Sequence, residues 1–268
     1  MSNAAERFRA LHAGSGAFIM PNAWDGASAV LMRQAGFAAL GTSSAAIAWA
    51  LGRPDGAHAV ARAEAIANGV LMGRLTGLPV NGDLEDGFGA WPQDCAATVT
   101  AAADAGLAGL GIEDTTADPA NPIHDYDHAV ARVQAAATAA KRRIVLTGRT
   151  DLLLFGRGDL DEVIRRLAAF AEAGADVLYA PGLPDMDAIR RVVRAVAPKP
   201  VNVLLGPRGA TATLADLSEA GVKRVSLGGA LYRVAMGAVA EAGRRLAQGD
   251  LSAMAGALPS SEIEPLFT

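Results

Sequence analysis

The feature of this sequence that most constrains its fold is a regular alternation of short β-type runs with helical runs from one end to the other. In the helical runs, apolar residues recur every three or four positions. This alternation is typical of parallel strands joined by helical crossovers. Eight strands are predicted, at 17–21, 38–42, 79–83, 109–113, 144–149, 177–180, 201–204 and 224–227.

Several helical runs end in the same way before the next strand. Four of them close on a glycine, namely Gly36, Gly106, Gly174 and Gly221. Glycine after a helix supplies the left-handed residue that turns the chain toward the following strand. The repetition indicates that one βα unit is reused. Besides a first periodic segment at 4–12, helices are predicted at 26–35, 57–75, 92–104, 125–141, 159–172, 185–196, 211–219 and 229–247.

Eight such units favour a closed barrel over an open sheet. An open doubly wound sheet of the Rossmann type is the alternative, but no Gly-x-Gly-x-x-Gly follows the first strand. The 268 residues are close to the roughly 250 that one α/β barrel needs. We therefore predict a single (β/α)8 TIM barrel over residues 1–248. A tail at 249–268, a loop plus a short helix, would pack on the barrel or contact a neighbouring subunit.

Composition excludes several classes of partner. Hydrophobic residues make up 51% of the chain, enough for a large core. The 24 Lys and Arg against 28 Asp and Glu include no basic run, so no nucleic acid partner is expected. Apolar stretches break off well before the ~18 residues of a membrane span, so no membrane partner is expected. The single Cys95 and the lack of an apolar leader indicate the cytoplasm.

Acidic residues cluster at the predicted strand ends, where barrel enzymes place their active sites. Asp83 and Glu85 follow the third strand, Glu113 ends the fourth, and Asp55 lies on the long loop after the second. Alternation along an extended strand predicts that Asp83 and Glu85 lie on one side. A single acidic residue often caps a helix, but four converging carboxylates repel one another unless a cation intervenes. We predict a site for Mg²⁺, with Mn²⁺ as the alternative.

Other polar residues at the strand ends are candidates for binding a carboxylate substrate. Arg149 ends the fifth strand, and its planar guanidinium matches a carboxylate. An internal salt bridge to Glu113 or Glu85 is the alternative, and both can hold together. After the second strand, backbone N–H groups and hydroxyls suit a carboxylate or enolate oxygen, although such segments also form ordinary turns. The candidate substrate-binding residues are Thr42, Ser43, Ser44, Asp55, Arg149 and Asn202.

Over roughly residues 15–245 the chain resembles the isocitrate lyase/phosphoenolpyruvate mutase superfamily. The family's Asp-x-Asp motif and Gly-aromatic-Gly turn are matched by 83–89, and its Glu on the next strand by Glu113. Its Leu-Gly-x-x-Asp is matched by 51–55 and its Arg-Thr-Asp by 149–151. The resemblance implies a Mg²⁺-assisted enzyme that stabilises an enolpyruvate-like oxyanion of an α-keto or α-hydroxy acid. It also implies a homo-tetramer or homo-dimer, with the last helix and the tail at the interface.

The same resemblance implies roles for the acidic residues and for Arg149. Asp83 would ligate Mg²⁺ directly, whereas Glu85, Glu113 and Asp55 would act mostly through water. Arg149 would bind a substrate carboxylate.

Two departures from the family pattern bear on the reaction. Glu85 replaces the second Asp of the metal motif, which moves its carboxylate outward by one methylene. The loop at 115–125 lacks the Lys-Lys-Cys-Gly of the lyase members, whose thiol transfers a proton. His124 is the one residue there that titrates near neutrality, so it is a candidate acid or base, with helix capping as the favoured alternative. Arg149, Glu113 and His124 are the candidate catalytic residues.

Three hypotheses follow for the activity. The leading one is a lyase that cleaves a C–C bond in a small 2-oxo or 2-hydroxy carboxylate, with oxaloacetate decarboxylation as the least demanding version. The second is P–C chemistry on a phosphonopyruvate-like substrate, for which Arg53 and Arg208 are possible additional cations. The third is a barrel that binds carboxylates without turnover.

Overall fold

A computed structural model describes residues 3–56, 58–206 and 212–267. It contains one parallel sheet in the order β1-β8-β7-β6-β5-β4-β3-β2. A parallel bridge between Asn22 and Gly41 joins the first and second strands. The nearly closed sheet confirms the (β/α)8 barrel. Its strands are β1 (Phe18–Met20), β2 (Leu40–Gly41), β3 (Val80–Asp83), β4 (Gly109–Glu113), β5 (Val145–Arg149), β6 (Val177–Tyr179), β7 (Val201–Leu204) and β8 (Arg224–Ser226).

Helices alternate with these strands as predicted, with differences at two starts. The fourth helix begins at Arg62 rather than at 57, because the Glu64 side chain accepts from the Ala61 N–H at 3.0 Å and caps the helix there. The ninth begins at Leu214, after the Thr213 cap. The helices are α1 (Ala4–Ala13), α2 (Gly26–Gln34), α3 (Ser44–Ala50), α4 (Arg62–Thr76), α5 (Pro92–Ala105), α6 (Tyr126–Ala140), α7 (Leu160–Glu172), α8 (Met186–Val196), α9 (Leu214–Glu219), α10 (Ala230–Ala247) and α11 (Ser260–Ile263).

The four repeated helix endings have the backbone that the sequence predicts. Gly36, Gly106, Gly174 and Gly221 have φ values of 90°, 95°, 109° and 90°. Only glycine adopts this left-handed region without a steric penalty. One turn geometry is therefore reused in four βα units.

Apolar packing closes one end of the barrel and leaves the polar end open. Outward-facing strand residues such as Leu110, Leu146 and Leu178 are fully buried in the main core, in the same cluster as helix residues such as Phe170. At the amino-terminal end, Phe8 of α1 packs in a second cluster with Met20, Ala39, Ala108, Val145 and Val177. Burying Phe8 contributes roughly 1.5–3 kcal/mol. Because α1 covers this end, the candidate site must open at the carboxyl ends of the strands.

Helix α10 differs from the other long helices because it buries none of its side chains. Val234 and Val239 are 70% and 62% exposed. A 3-10 turn at Leu251–Met254 and the short α11 follow it, in keeping with the predicted loop and short helix. Exposed apolar patches of this kind mark interaction surfaces.

In the three described ranges, no helix combines the length and the apolar character needed to cross a membrane.

Candidate active site

The carboxyl ends of the strands surround a cleft that consists of two adjoining cavities. The inner cavity, of about 170 Å³, extends into the barrel; Asp83, Thr147, Asn202 and Arg224 contribute to its wall. The outer cavity, of about 390 Å³, lies beneath the 115–122 segment and includes His58, Glu85 and Asp151 in its wall. Four residues line both cavities: Ser44, Asp55, Glu113 and Arg149. Most of the predicted site residues thus lie in one cleft.

Asp83 is held in place by the small polar residues that follow β2. Its backbone N–H donates to Thr42 Oγ1 at 2.7 Å. Its Oδ2 accepts from the Ser44 N–H at 2.9 Å and from the Ser44 hydroxyl at 3.1 Å. Ser43 caps the short helix α3, which the sequence analysis did not predict. Thr42 and Ser44 therefore orient Asp83, a role that differs from the predicted binding of substrate oxygens.

Glu85 reaches the cleft by a different backbone path from the predicted one. Strand β3 ends at Asp83, and Glu85 has a left-handed φ of 49°, so the expectation of strand alternation through Glu85 was wrong. The turn is closed by the Gly87 N–H, which donates to the Leu84 carbonyl oxygen at 2.9 Å. Burial raises the pKa of Glu85 to about 7, although the His58 N–H, 3.3 Å from its carboxylate, acts in the opposite direction.

The other two candidate acidic residues also carry raised pKa values. Asp55 is exposed on its loop, but partial desolvation in the cleft raises its pKa, and the nearby charge of Asp83 adds to this shift. Glu113 is only 9% exposed, and its burial raises its pKa well above the ordinary value while Arg149 opposes the shift. These shifts show that negative charge is costly in this cleft.

Arg149 is already surrounded by carboxylates. Its Nε and Nη2 donate to Asp151 at 2.7 and 2.9 Å. Its Nη1 lies 2.5 Å from Glu113 and 3.7 Å from Asp83. Burial disfavours the guanidinium charge, but Asp151 and Glu113 raise the pKa of Arg149 well above its ordinary value. The internal salt bridge that the sequence left open as an alternative is present, and Asp151 is its main unforeseen partner.

His124 does not line either cavity of the cleft. It lies in a separate depression with Asn121 and Arg166, and its ring centroid lies 4.8 Å from that of His128, with the two rings tilted by 54°. Burial lowers its pKa to about 4, with Arg132 adding to the effect. Asp125 provides the side-chain cap of α6. The structure therefore gives no geometric support to the predicted role of His124 as an acid or base at the cleft.

Several residues of the cleft were missed by the sequence analysis, among them His58 and Arg224. His58 was assigned to a helix, but it lies in the loop before α4, with its Nε2 2.6 Å from Asp86 Oδ1. Arg224 begins β8, so it lies away from the carboxyl end of its strand, yet it lines the inner cavity. Its Nε donates to the Oδ1 of the predicted binding residue Asn202 at 2.9 Å. The sequence offered little signal, because β8 is only three residues long and alternation alone does not tell which of its faces points into the barrel.

The donor set of the cleft suits a hard cation that retains much of its water. Within residues 3–56, 58–206 and 212–267, no three His, Cys, Asp or Glu side chains converge on one point as a complete ligand set. The carboxylates instead lie at the ends of the neighbouring strands β3 and β4 and on the loops beside them, with Asp83 the one most firmly positioned. Mg²⁺ commonly binds through one or two carboxylates and keeps several waters. The residues therefore fit such an ion.

Comparisons with known proteins agree with this geometry. The family model described as phosphoenolpyruvate phosphomutase matches residues 8–247. A crystal structure from Burkholderia cenocepacia J2315, provisionally described as a lyase/mutase, is 44% identical with a TM-score of 0.94, covering 99% of this chain and 95% of that chain. An uncharacterized protein of Mycobacterium tuberculosis is 34% identical, covering 91% of this chain and 90% of the relative. An oxaloacetate decarboxylase of Chromohalobacter salexigens is 30% identical, and the match covers 85% of this chain and 80% of the relative.

The match extends over the barrel and includes every acidic residue of the cleft. It confirms the resemblance to the isocitrate lyase/phosphoenolpyruvate mutase superfamily, whose named members among these relatives are lyases and mutases. The chain belongs to the phosphoenolpyruvate phosphomutase family.

Proposed function

We propose that this chain is a Mg²⁺-dependent lyase that cleaves a C–C bond in a small 2-oxo or 2-hydroxy carboxylate through an enolpyruvate-like intermediate. The observation that carries the proposal is the position of Asp83. Thr42 and Ser44 orient this carboxylate at the boundary of a cleft that Asp55, Glu85 and Glu113 also line. Hydrogen bonds that fix one carboxylate within a group of carboxylates are typical of a metal site.

The charged residues at the mouth of the cleft have distinct roles in this proposal. Asp83 would ligate the ion, while Asp55, Glu85 and Glu113 would hold its waters. Mg²⁺, or Mn²⁺, supplies Lewis acidity that polarises the substrate carbonyl. Arg149 fixes Glu113 and Asp151, and it keeps positive charge beside the developing oxyanion.

Oxaloacetate decarboxylation is the version of the reaction that these residues support best. Departure of CO2 needs no proton donor at the scissile bond. The 115–125 loop contains no Lys or Cys, and His124 lies outside the cleft. The similarity to an oxaloacetate decarboxylase supports the same reaction.

The phosphonate alternative gains no support from the cations available. A phosphonate dianion calls for positive charge beyond Arg149, but Arg53 pairs with Glu64 at 3.0 Å outside the cleft. Arg208 lies outside the described residues. We therefore keep P–C cleavage and carboxylate binding without turnover as outcomes of the test below.

The proposal includes a cytoplasmic location and a homo-oligomer, dimer or tetramer. The lone Cys95 is completely buried, which suits a protein that needs no disulfide. The exposed apolar side chains of α10 suit a contact with a second copy. Analytical ultracentrifugation gives the oligomer size, and a monomer at micromolar concentration would contradict this part of the proposal.

The test is a substrate panel assayed with Mg²⁺ and with a chelator. Oxaloacetate, substituted malates and citramalate are offered to the wild type, to Asp83→Ala and to the surface control Asp187→Ala. We expect turnover that needs Mg²⁺, is lost in Asp83→Ala and persists in the control. Turnover of phosphonopyruvate alone, seen by phosphorus NMR, would replace the lyase by P–C chemistry. Binding without any turnover would replace it by a binding protein.

A further inference from the structure

Arg224 lies inside the barrel and has only neutral partners. It is 2% exposed. Its Nε donates to Asn202 Oδ1 at 2.9 Å and its Nη2 to Thr147 Oγ1 at 3.0 Å, while its Nη1 lies 3.5 Å from His12 Nε2. No carboxylate oxygen in the described ranges lies within the 4.0 Å ion-pair distance of its guanidinium. Its charge is therefore unbalanced.

His12 does not change this balance. Its Nδ1 lies 2.9 Å from the Phe8 carbonyl oxygen, to which it donates, so Nε2 presents a lone pair to Arg224. Burial, with Arg224 as the next cause, lowers the pKa of His12 to about 3, which keeps the ring neutral. A buried charge without a counter-charge is costly, and an apolar side chain of similar size would serve packing better. The arginine therefore calls for an explanation beyond folding.

The inner cavity extends to the level of Arg224. Gly111 of β4 pairs in register with Thr147, the residue that contacts Arg224. A Cβ added at Gly111 would meet no other heavy atom within 4 Å, although the residue lies in the middle of a barrel strand. The space beside Thr147 is therefore wide enough for a ligand group.

One of the residues that line the same cavity has a buried polar atom without a partner. Asn81 is 7% exposed, and its Oδ1 has no hydrogen-bond partner among the described residues. Depending on how this amide is oriented, it offers an acceptor or a donor to a bound group. Buried polar atoms are rarely left unpaired, so Asn81 is an independent indication of a ligand at this depth.

The depth of Arg224 matches the length of a small dicarboxylate. Thr147 and Arg149 are two residues apart on β5, which places their layers about 6.6 Å apart along the strand. One end of such a ligand at Asp83 and Arg149 would thus bring its other end to Arg224. Arg149 is already paired with Glu113 and Asp151, whereas Arg224 has its charge available.

We propose that Arg224 binds the distal carboxylate of the substrate, so that the substrate class is a small dicarboxylate that enters the barrel end-on. The position of the near end rests on the proposed function, but the anion site at Arg224 does not. A charge-assisted hydrogen bond to a buried carboxylate is among the strongest that a protein makes.

The test compares ligands that differ only in the distal carboxylate. Malate is lactate with one added carboxylate, and both enantiomers of each are titrated calorimetrically with Mg²⁺ present. Oxalate, which is too short to reach Arg224, reports on the near end alone. Three variants are compared with the wild type: Arg224→Met removes the charge, Gly111→Val fills the space, and Arg190→Met is a surface control. Thermal unfolding checks that each variant is folded.

We expect the wild type to bind malate at least about tenfold more tightly than lactate, and both inner-cavity variants to lose this preference. In Arg224→Met, oxalate affinity should change less than about twofold. An unchanged preference in Arg224→Met would overturn the proposal. If Arg224→Met does not fold, an unchanged preference in Gly111→Val would overturn it. Loss of oxalate binding with a retained, Arg224-dependent malate preference would contradict the proposed metal site and support the anion site.

Discussion

Two arginines project into the same barrel at different depths, and they show opposite charge balance. At the mouth, Arg149 contacts Asp151 and Glu113 and lies near Asp83. One layer deeper, the hydrogen-bond partners of Arg224 among the described residues are the neutral Asn202, Thr147 and His12. Two buried arginines can therefore differ in whether their charge is free to bind an anion. Their partners decide that.

The two layers therefore call for opposite charges. At the mouth, desolvation raises the pKa values of Asp55, Glu85 and Glu113, so a cation there would relieve the cost of their charges. In the interior, an anion would relieve the cost of Arg224. A metal ion at the mouth and a dicarboxylate reaching inward would satisfy both layers at once.

The largest expected difference between the two arginines is in the stability lost when each is replaced. We expect Arg149→Met to lower the free energy of unfolding by about 3 to 5 kcal/mol, because it leaves buried carboxylates without their cation. Arg224→Met is expected to cost much less, since only neutral groups lose a partner. Urea denaturation of the ligand-free protein at neutral pH measures both. Equal losses would break the distinction between the two arginines.

The next effect concerns catalysis at the mouth. In Asp83→Ala we expect kcat/KM to fall by more than about 100-fold, since loss of a metal ligand exceeds the 10- to 100-fold cost of losing a supporting residue. Steady-state assays at saturating Mg²⁺ measure it on the substrate that the panel identifies. Activity within a few-fold of the wild type would show that Asp83 is structural.

The pH dependence of stability tests whether ionised carboxylates at the mouth destabilise the fold. The pKa of Glu85 rises from 4.5 to about 7 on folding, so the fold favours its protonated form. The stability gained from this shift is fully present below pH 4.5 and is lost as the pH rises through about 7. We expect a loss on the order of 1 to 3 kcal/mol for the metal-free protein over that interval.

Glu85→Gln should flatten this profile, and the exposed control Glu219→Gln should not. Thermal unfolding across this pH range in a chelating buffer provides the measurement. A Glu85→Gln profile with the wild-type slope would assign the pH dependence to other groups.

The smallest of these effects tests how Asp83 is oriented. Ser44→Ala removes the hydroxyl that donates to Asp83 at 3.1 Å but keeps the backbone donor at 2.9 Å. We expect about tenfold weaker Mg²⁺ binding, the lower end of the range for supporting residues. Calorimetric Mg²⁺ titration compares it with the exposed control Ser260→Ala. Unchanged affinity would mean that the backbone contact alone orients Asp83.

The barrel and its acidic mouth were predictable because they depend on local patterns. The helix endings at Gly36, Gly106, Gly174 and Gly221 reflect backbone geometry that a single residue type reports. Parallel strands end on one face of a barrel, so Glu113 and Asp83 could be placed together from strand ends alone.

The details that failed depend on tertiary packing. The turn at Glu85 is closed by the hydrogen bond from the Gly87 N–H to the Leu84 carbonyl oxygen, and this contact is not visible in a carboxylate pattern. Arg224 follows Lys223 at the start of a short strand, where sequence alone suggests an exposed basic pair. Register with Asn202 turns Arg224 inward. His58 was assigned to α4 because the capping contact that starts this helix four residues later was not foreseen.

The central claim is that Asp83 and its neighbours form a metal site for an enolate-like ligand, and one titration tests it most directly. Oxalate, which resembles the enolate of pyruvate, is titrated calorimetrically into metal-free protein, with and without Mg²⁺, and into Asp83→Ala. The account predicts binding that requires Mg²⁺ and disappears in Asp83→Ala. Absence of binding under both conditions, or equal binding without Mg²⁺, would contradict it and would make the acidic cluster a structural feature of the barrel.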